Sequence, residues 1–258
     1  MLNETAHENW EVISLPAIAF DNDLLGRQPG EALWPEAYPL SVLEEIRQTL
    51  GSRDWNSLYQ QCPLSDADVI FQPKWLQFYD QRPLQCDRII HSWDLSFGGT
   101  QAGSSWVVGQ VWGIVESNKY LLHMTREQIG FSDTLAAIRA MDSKHRASKI
   151  LIESAANGAA VIETLRVEIG DRLIAIRPDG GKADRAYAVV PQFERGEVWL
   201  PEPDTSLWVN PLLKEMESFP QSNSDDCVDA MTQALRWMDR TLRNIHRRVP
   251  SSVSYTCW

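Results

Sequence analysis

Three groups of acidic residues fall at the ends of apolar runs instead of within polar surface. Asp94 closes the run RIIHSWDL just before Gly98-Gly99, Glu153 closes KILIE, and Asp225, Asp226 and Asp229 open the last amphipathic stretch. Some have an ordinary explanation. Asp94 suits a turn, and Asp225 and Asp226 suit a helix cap and first turn, where the helix dipole favours negative charge. Glu153 and Asp229 resist such readings. A short apolar strand seldom ends in an acid without a partner, and Asp229 lies a full turn further into its helix. If the strands ending at Asp94 and Glu153 are parallel neighbours, their acids meet at one edge of a sheet. Asp226 and Asp229, three positions apart, share one helix face. Carboxylates gathered in this way are costly unless cations neutralise them, and hard oxygen donors select Mg²⁺ or Mn²⁺. Two such ions about 3.5–4 Å apart can generate hydroxide from water and stabilise the leaving oxygen of a phosphodiester. The chemistry expected of three or four of these carboxylates gathered in one place is therefore two-metal hydrolysis.

The elements that would position these acids are legible from periodicity. DRIIHSWDLSF reads as a strand, and SSWVVGQVWGIVES and KYLLHMTREQIG as two β-rich runs forming a hairpin around Ser117-Asn118. SDTLAAIRAMDSKHRA reads as a helix capped by Ser132 or Asp133, with Leu135, Ile138 and Met141 on one side. SKILIES is too short for a helix and reads as the fourth strand, and NGAAVIETLRVEIG as a helix closed by Gly170. A fifth strand (DRLIAIRP), a helix over ADRAYAVVPQFERG, a brief strand (EVWLP) and helices near 207–218 and 225–247 complete the order. Three strands joined as hairpins, followed by strands alternating with helices, predict an α/β fold: a mixed sheet flanked by helices, as in ribonuclease H-like proteins, although several other α/β folds begin in the same order.

Composition narrows the function classes. The 258 residues are 43% apolar and 23% charged, a globular balance with no long apolar span and no secretory signal at the start. No membrane association is expected. With 24 Lys+Arg against 35 Asp+Glu the net charge is −11, which excludes a nucleic-acid binder driven by bulk charge but allows a local basic face. Cys62, Cys86, Cys227 and Cys257 are scattered without a CxxC pair, indicating neither a zinc site nor a disulfide framework and fitting a reducing cytoplasm.

Four segments together, SWDLSFGG (92–99), LIESAANG (151–158), GGKADRA…FERGEVWLP (180–201) and SDDCVDAMTQAL (224–235), resemble in sequence and order the nuclease domain of the large terminase subunit of tailed bacteriophages. The resemblance covers about residues 87–240. It implies a ribonuclease H-like endonuclease that cuts concatemeric double-stranded DNA during genome packaging, in the cytoplasm of a bacterial host. It further implies that Asp94 bridges both metals, that Glu153 is the fourth-strand ligand, and that the last ligands come from the SDDCVDA segment, with Asp226 and Asp229 the first choice and Asp225 in reserve. Lys182 and Arg185 match basic positions of the family and would lie near the DNA backbone; a solvated helix start is the alternative. Expected partners are a terminase ATPase domain or small subunit and the portal protein. The chain departs from a complete large terminase in lacking Walker motifs, so no ATPase activity is expected. DGGKAD does not have the GxxxxGK[ST] spacing of a phosphate-binding loop.

The expected organisation is an N-terminal extension over 1–86, broken by seven prolines and resembling the end of a motor domain with its linker, a nuclease domain over 87–248 and a tail over 249–258. In the extension PLSVLEEIRQTL is the convincing helix, with Val42, Ile46 and Leu50 on one face. Arg236, Arg240, Arg243 and Arg247 fall on one helical stripe, read first as a solvated face and second as a docking face for DNA or a partner. Trp93, Trp106 and Trp112 are expected in the core. His91, an odd number of residues before Asp94, should point away from it. Rival readings are another nuclease of the same fold, such as a junction resolvase or recombinase, and a non-catalytic prophage remnant.

Overall fold

The computed structural model describes residues 13–20, 23–62, 70–95, 106–154, 157–221 and 224–248, the last with side chains as far as 242. The Gly98-Gly99 turn, Trp10, the side chains of Arg243 and Arg247, and the tail over 249–258 lie outside the described residues. The chain divides into two compact units, residues 1–68 and 69–258.

The first unit carries α1 (Leu40–Leu50), α2 (Ser52–Asp54) and a π-helical turn over Trp55–Tyr59. Its small core joins Leu43, Trp55 and Ala32, with Trp55 stacked on Tyr59. The buried stripe of α1 is therefore set by Leu43 and Ile46; Val42, expected there, is exposed.

The second unit is built on a seven-stranded sheet: β1 (Gln77–Tyr79), β2 (Arg88–Leu95), β3 (Val107–Val115), β4 (Asn118–Glu127), β5 (Lys149–Glu153), β6 (Leu173–Ile176) and β7 (Val198–Pro201), in the spatial order β1-β7-β4-β3-β2-β5-β6. β2, β3 and β4 pair antiparallel; β5 joins β2 in parallel and β6 joins β5 in parallel. This is the mixed sheet expected from the element order. Ile70 and Phe71 are in its core and β1 pairs with β7, so residues 70–86, read from the sequence as extension, contribute to this unit. The three residues of β1 are too few to show a period.

Helices cover both faces, which explains why β2 and β3 read as nearly continuous apolar runs. On one face α3 (Phe131–His145) and α4 (Gly158–Ile169) bury Leu135, Ile138, Met141, Val161 and Leu165 against Trp93, Val111, Ile150 and Ile152. On the other, α7 (Asn210–Ser218) and α8 (Asp226–Arg248) pack on Ile90, Val108, Trp112 and Leu151. Trp93 and Trp112 are fully buried and Trp106 partly so. Gly109 leaves the space Trp93 fills, since a Cβ there would lie 2.5 Å from its ring.

Two further expectations are corrected. Helix α3 starts at Phe131 after Gly130 with no side-chain cap, leaving Asp133 in the first turn. The helix read over ADRAYAVVPQFERG is two: α5 (Lys182–Tyr187) and α6 (Val190–Glu194). Pro191 has no N–H to extend the first helix and instead fits the first turn of the second.

Candidate functional site

Register brings the first two acids together. Trp93 pairs with Ile152 across the parallel β2–β5 ladder, so Asp94 and Glu153 are the next residues outward on neighbouring strands. Both fall on the face covered by α8, because side chains alternate: Ile90 and Leu151 face α8, whereas Trp93 and Ile152 face α3 and α4. Gly158 sets how closely α4 approaches this edge. A Cβ there would lie 1.8 Å from the Glu153 carbonyl oxygen, so glycine is required at that approach.

Helix α8 supplies the remaining acids, and buried polar side chains hold it against the sheet. The Ser92 hydroxyl donates to the Ala230 carbonyl at 2.8 Å, and the Gln110 amide donates to the Cys227 carbonyl at 2.9 Å. From the helix, the Gln233 amide donates to Ser92 Oγ at 2.9 Å and to the Trp93 carbonyl at 3.2 Å. At its N-terminus, Glu215 of α7 accepts from the backbone N–H of Cys227 (2.8 Å) and of Val228 (3.2 Å), capping the helix from another element. The Ser224 hydroxyl lies 2.9 Å from Glu215 Oε1 and 3.0 Å from Asp226 Oδ2. Having one hydrogen, it donates to one of them at a time while accepting from Arg126 at 3.0 Å.

These contacts bring the first turns of α8 beside the end of β2, near enough for the charges of Asp226 and Asp229 to act on Asp94. Burial comes first in pushing the Asp94 carboxyl well above the usual carboxylate range; the negative charges of Asp229, Glu153 and Asp226 add to it. Burial likewise raises Glu153, with Asp229 adding and the cations Arg185 and Lys182 opposing. Burial raises Asp226 against its bond from Ser224. Asp94, Glu153, Asp226 and Asp229 thus share one electrostatic neighbourhood.

The fifth acid, Asp225, faces outward into an ion pair. Lys182 Nζ, from α5, lies 2.6 Å from Asp225 Oδ1 and 3.1 Å from Asp229 Oδ2, and Arg185 Nη2 lies 2.8 Å from Asp229 Oδ1. Burial works against the Lys182 ammonium, but these bonds outweigh it and hold its pKa above the ordinary value. The turn that presents both cations needs Gly180, whose φ is 77°, and closes with Asp184 Oδ2 accepting from the Gly181 N–H.

With Asp225 and Asp229 turned to these cations, no three His, Cys, Asp or Glu side chains among the described residues are arranged to hold a metal ion as they stand. The donor set nonetheless fits one. All the converging groups are carboxylates, and Asp94 lies among acids with no cation bonded directly to it among the contacts described. A hard divalent ion would relieve that crowding.

Sequence reasoning did not single out Ser92, Gln110, Glu215 or Gln233 as positioning residues. The available signal was a lone polar residue within an apolar run, Gln110 in VVGQVWGIV being the plainest.

The profile of one protein family, described as the terminase RNaseH-like domain, matches residues 91–236. No curated protein matches significantly. Among solved structures, the chain is similar to the large terminase of a thermophilic bacteriophage, with a TM-score of 0.61, 14% identity and coverage of 77% of this chain and 52% of that one. It is also similar to the large terminase nuclease of the thermophilic phage G20c with bound magnesium, with a TM-score of 0.51, 15% identity and coverage of 67% and 98%. The chain therefore spans about half the length of the first of these terminases, and at these identities the likeness is one of fold.

Proposed function

Because this chain belongs to the terminase RNaseH-like domain family, we propose that it is a metal-dependent endonuclease that hydrolyses double-stranded DNA during viral genome packaging. The observation that carries the reading is the convergence of Asp94, Glu153, Asp226 and Asp229 at one edge of the sheet, each of the first three raised in pKa chiefly by burial. In this reading those four residues hold two Mg²⁺ or Mn²⁺ ions, with Asp225 joining once released from Lys182. Bound there, the ions would lower the pKa of water and stabilise charge on the scissile phosphate.

The chain's own residues do the rest. Gly158 keeps α4 tight against the end of β5 and so fixes Glu153; Ser92, Gln110 and Gln233 fix the distance between α8 and β2; Glu215 and Ser224 orient the first turn of α8. Lys182 and Arg185 balance the acids in the free protein and stand where they can meet a DNA phosphate. These residues carry no Walker motif, and we infer that the partners in packaging are a terminase ATPase domain or small subunit and the portal protein.

A comparison of substrates tests this reading. In Mn²⁺ the protein should cut linear duplex DNA at internal positions and show no preference for a four-way junction of equal length. Selective cleavage of the junction would instead assign the chain to resolvase-like chemistry.

A further inference from the structure

Resting on the duplex-DNA reading above, we propose that a narrow cleft beside the acids, bearing Arg177, Arg185, Arg236 and Arg240, receives the DNA phosphate backbone, and that Asp179 is an internal stand-in for phosphate that DNA displaces.

The cleft is continuous with the acids, since Glu153 and Asp229 line it together with these arginines. Arg177 follows β6 directly, one residue beyond the Glu153–Ile176 pair. Arg236 and Arg240 stand seven and eleven residues after Asp229 on α8, so they continue from the acids for about 16 Å along the helix axis. Duplex DNA carries a phosphate per about 3.4 Å of axis on each strand, so the row matches roughly five nucleotides of one backbone.

Charge supports an anionic occupant. In a chain of net charge −11, four arginines converge here, and Arg185 is already committed to Asp229. The Arg236 side chain is 19% exposed. Its burial, and the like charges of Arg240 and Arg185, push its pKa below the usual guanidinium value. Arg236 therefore does not belong to the solvated face that the helical stripe first suggested, whereas Arg240 is 68% exposed.

The carboxylate that answers Arg236 and Arg240 is Asp179, at 3.4 Å and 3.9 Å, and it is 76% exposed. Charge-assisted bonds between guanidinium and an anion normally close to about 2.7–2.9 Å, so this contact is loose. The Arg236 guanidinium also donates to the Asp179 carbonyl at 3.3 Å, and the Arg185 guanidinium to the Gly180 carbonyl at 3.2 Å. Together the two arginines hold the loop that carries Asp179 over the cleft. A phosphate oxygen can meet the same guanidinium groups at shorter range, and Asp179 swings into solvent at little cost.

The test is fluorescence anisotropy with a labelled 20-base-pair duplex in EDTA, titrated with salt and run beside plasmid cleavage by the same protein in Mn²⁺. The double variant Arg177→Gln/Arg240→Gln, both positions being exposed, should bind about tenfold more weakly and flatten the plot of log K against log salt by about two units. Arg236→Gln should act in the same direction, while Asp179→Asn should tighten binding several-fold. A merely structural latch would instead make both the arginine and the aspartate variants bind more weakly. Parental affinity in the arginine variants, weaker or unchanged binding by Asp179→Asn, or no duplex binding by the wild type would each overturn the proposal. Cleavage by wild type with unaltered binding in the variants rejects the cleft and keeps the nuclease; arginine-dependent binding without cleavage does the reverse.

Discussion

Asp94 and Glu153 could be found in the sequence because an acid at the end of an apolar strand has few packing explanations, and Asp229 because it lies too deep in α8 to be a cap. Ser92, Glu215 and Asp179 could not, since their roles depend on partners far along the chain: Ser92 meets Ala230 and Glu215 meets Val228. His91 shows how far alternation reaches. It points away from Asp94, as the period of two requires, and lies fully buried, its ring 6.4 Å from that of His145. Neither of its ring nitrogens has a hydrogen-bond partner among the described residues. Burial first, then the like charges of His145, Arg172 and His123 against the attraction of Asp142, lower its pKa to about 4. The unfolded chain therefore binds a proton at this residue that the folded one refuses. The resulting stability is complete above pH 6.5 and lost as the pH falls towards 4, on the order of 3 kcal/mol for this shift. Denaturant unfolding followed across that window should show the loss, and His91→Leu should flatten it; an unchanged slope in the variant would place the acid sensitivity elsewhere.

Among elements, α8 has most to position, because Asp226 and Asp229 ride on its first turns. Its amphipathic pattern and its acids made the helix visible, but nothing local announced that another helix caps it. Glu215→Ala would leave the Cys227 and Val228 N–H groups buried without acceptors, costing about 2–4 kcal/mol. Thermal unfolding should register this as a fall in midpoint of several degrees, with cleavage falling too as Asp226 loses its support. Glu215→Gln keeps an acceptor oxygen and should recover most of both; equal losses in the two variants would mean that the carboxylate charge, rather than the cap, matters. The shorter elements were harder to read for a different reason. Three residues of β1 carry no period, and Pro191 divides a stretch whose apolar spacing runs on through α5 and α6. Leu43, not Val42, completes the stripe of α1 because neighbouring positions differ by about 100° around a helix, and packing chose between them.

At the scale of the whole molecule, the order of strands and helices was enough to indicate the mixed sheet, since parallel neighbours need helical crossovers and antiparallel ones need hairpins. The net charge of −11 says little about function by itself: a cluster of acids and a cleft of arginines contribute opposite signs to one total. No helix among the described residues is long and apolar enough to cross a membrane. Whether the four converging acids make a metal-dependent nuclease is read most directly from nicking of supercoiled plasmid at low salt in Mg²⁺, Mn²⁺ or EDTA by the wild type and by Asp94→Asn. Cleavage in either metal, abolished by EDTA and reduced at least about a thousandfold in a variant that remains folded, is the result predicted. Cleavage that persists in EDTA, or a folded Asp94→Asn protein that cuts at the parental rate, would contradict it.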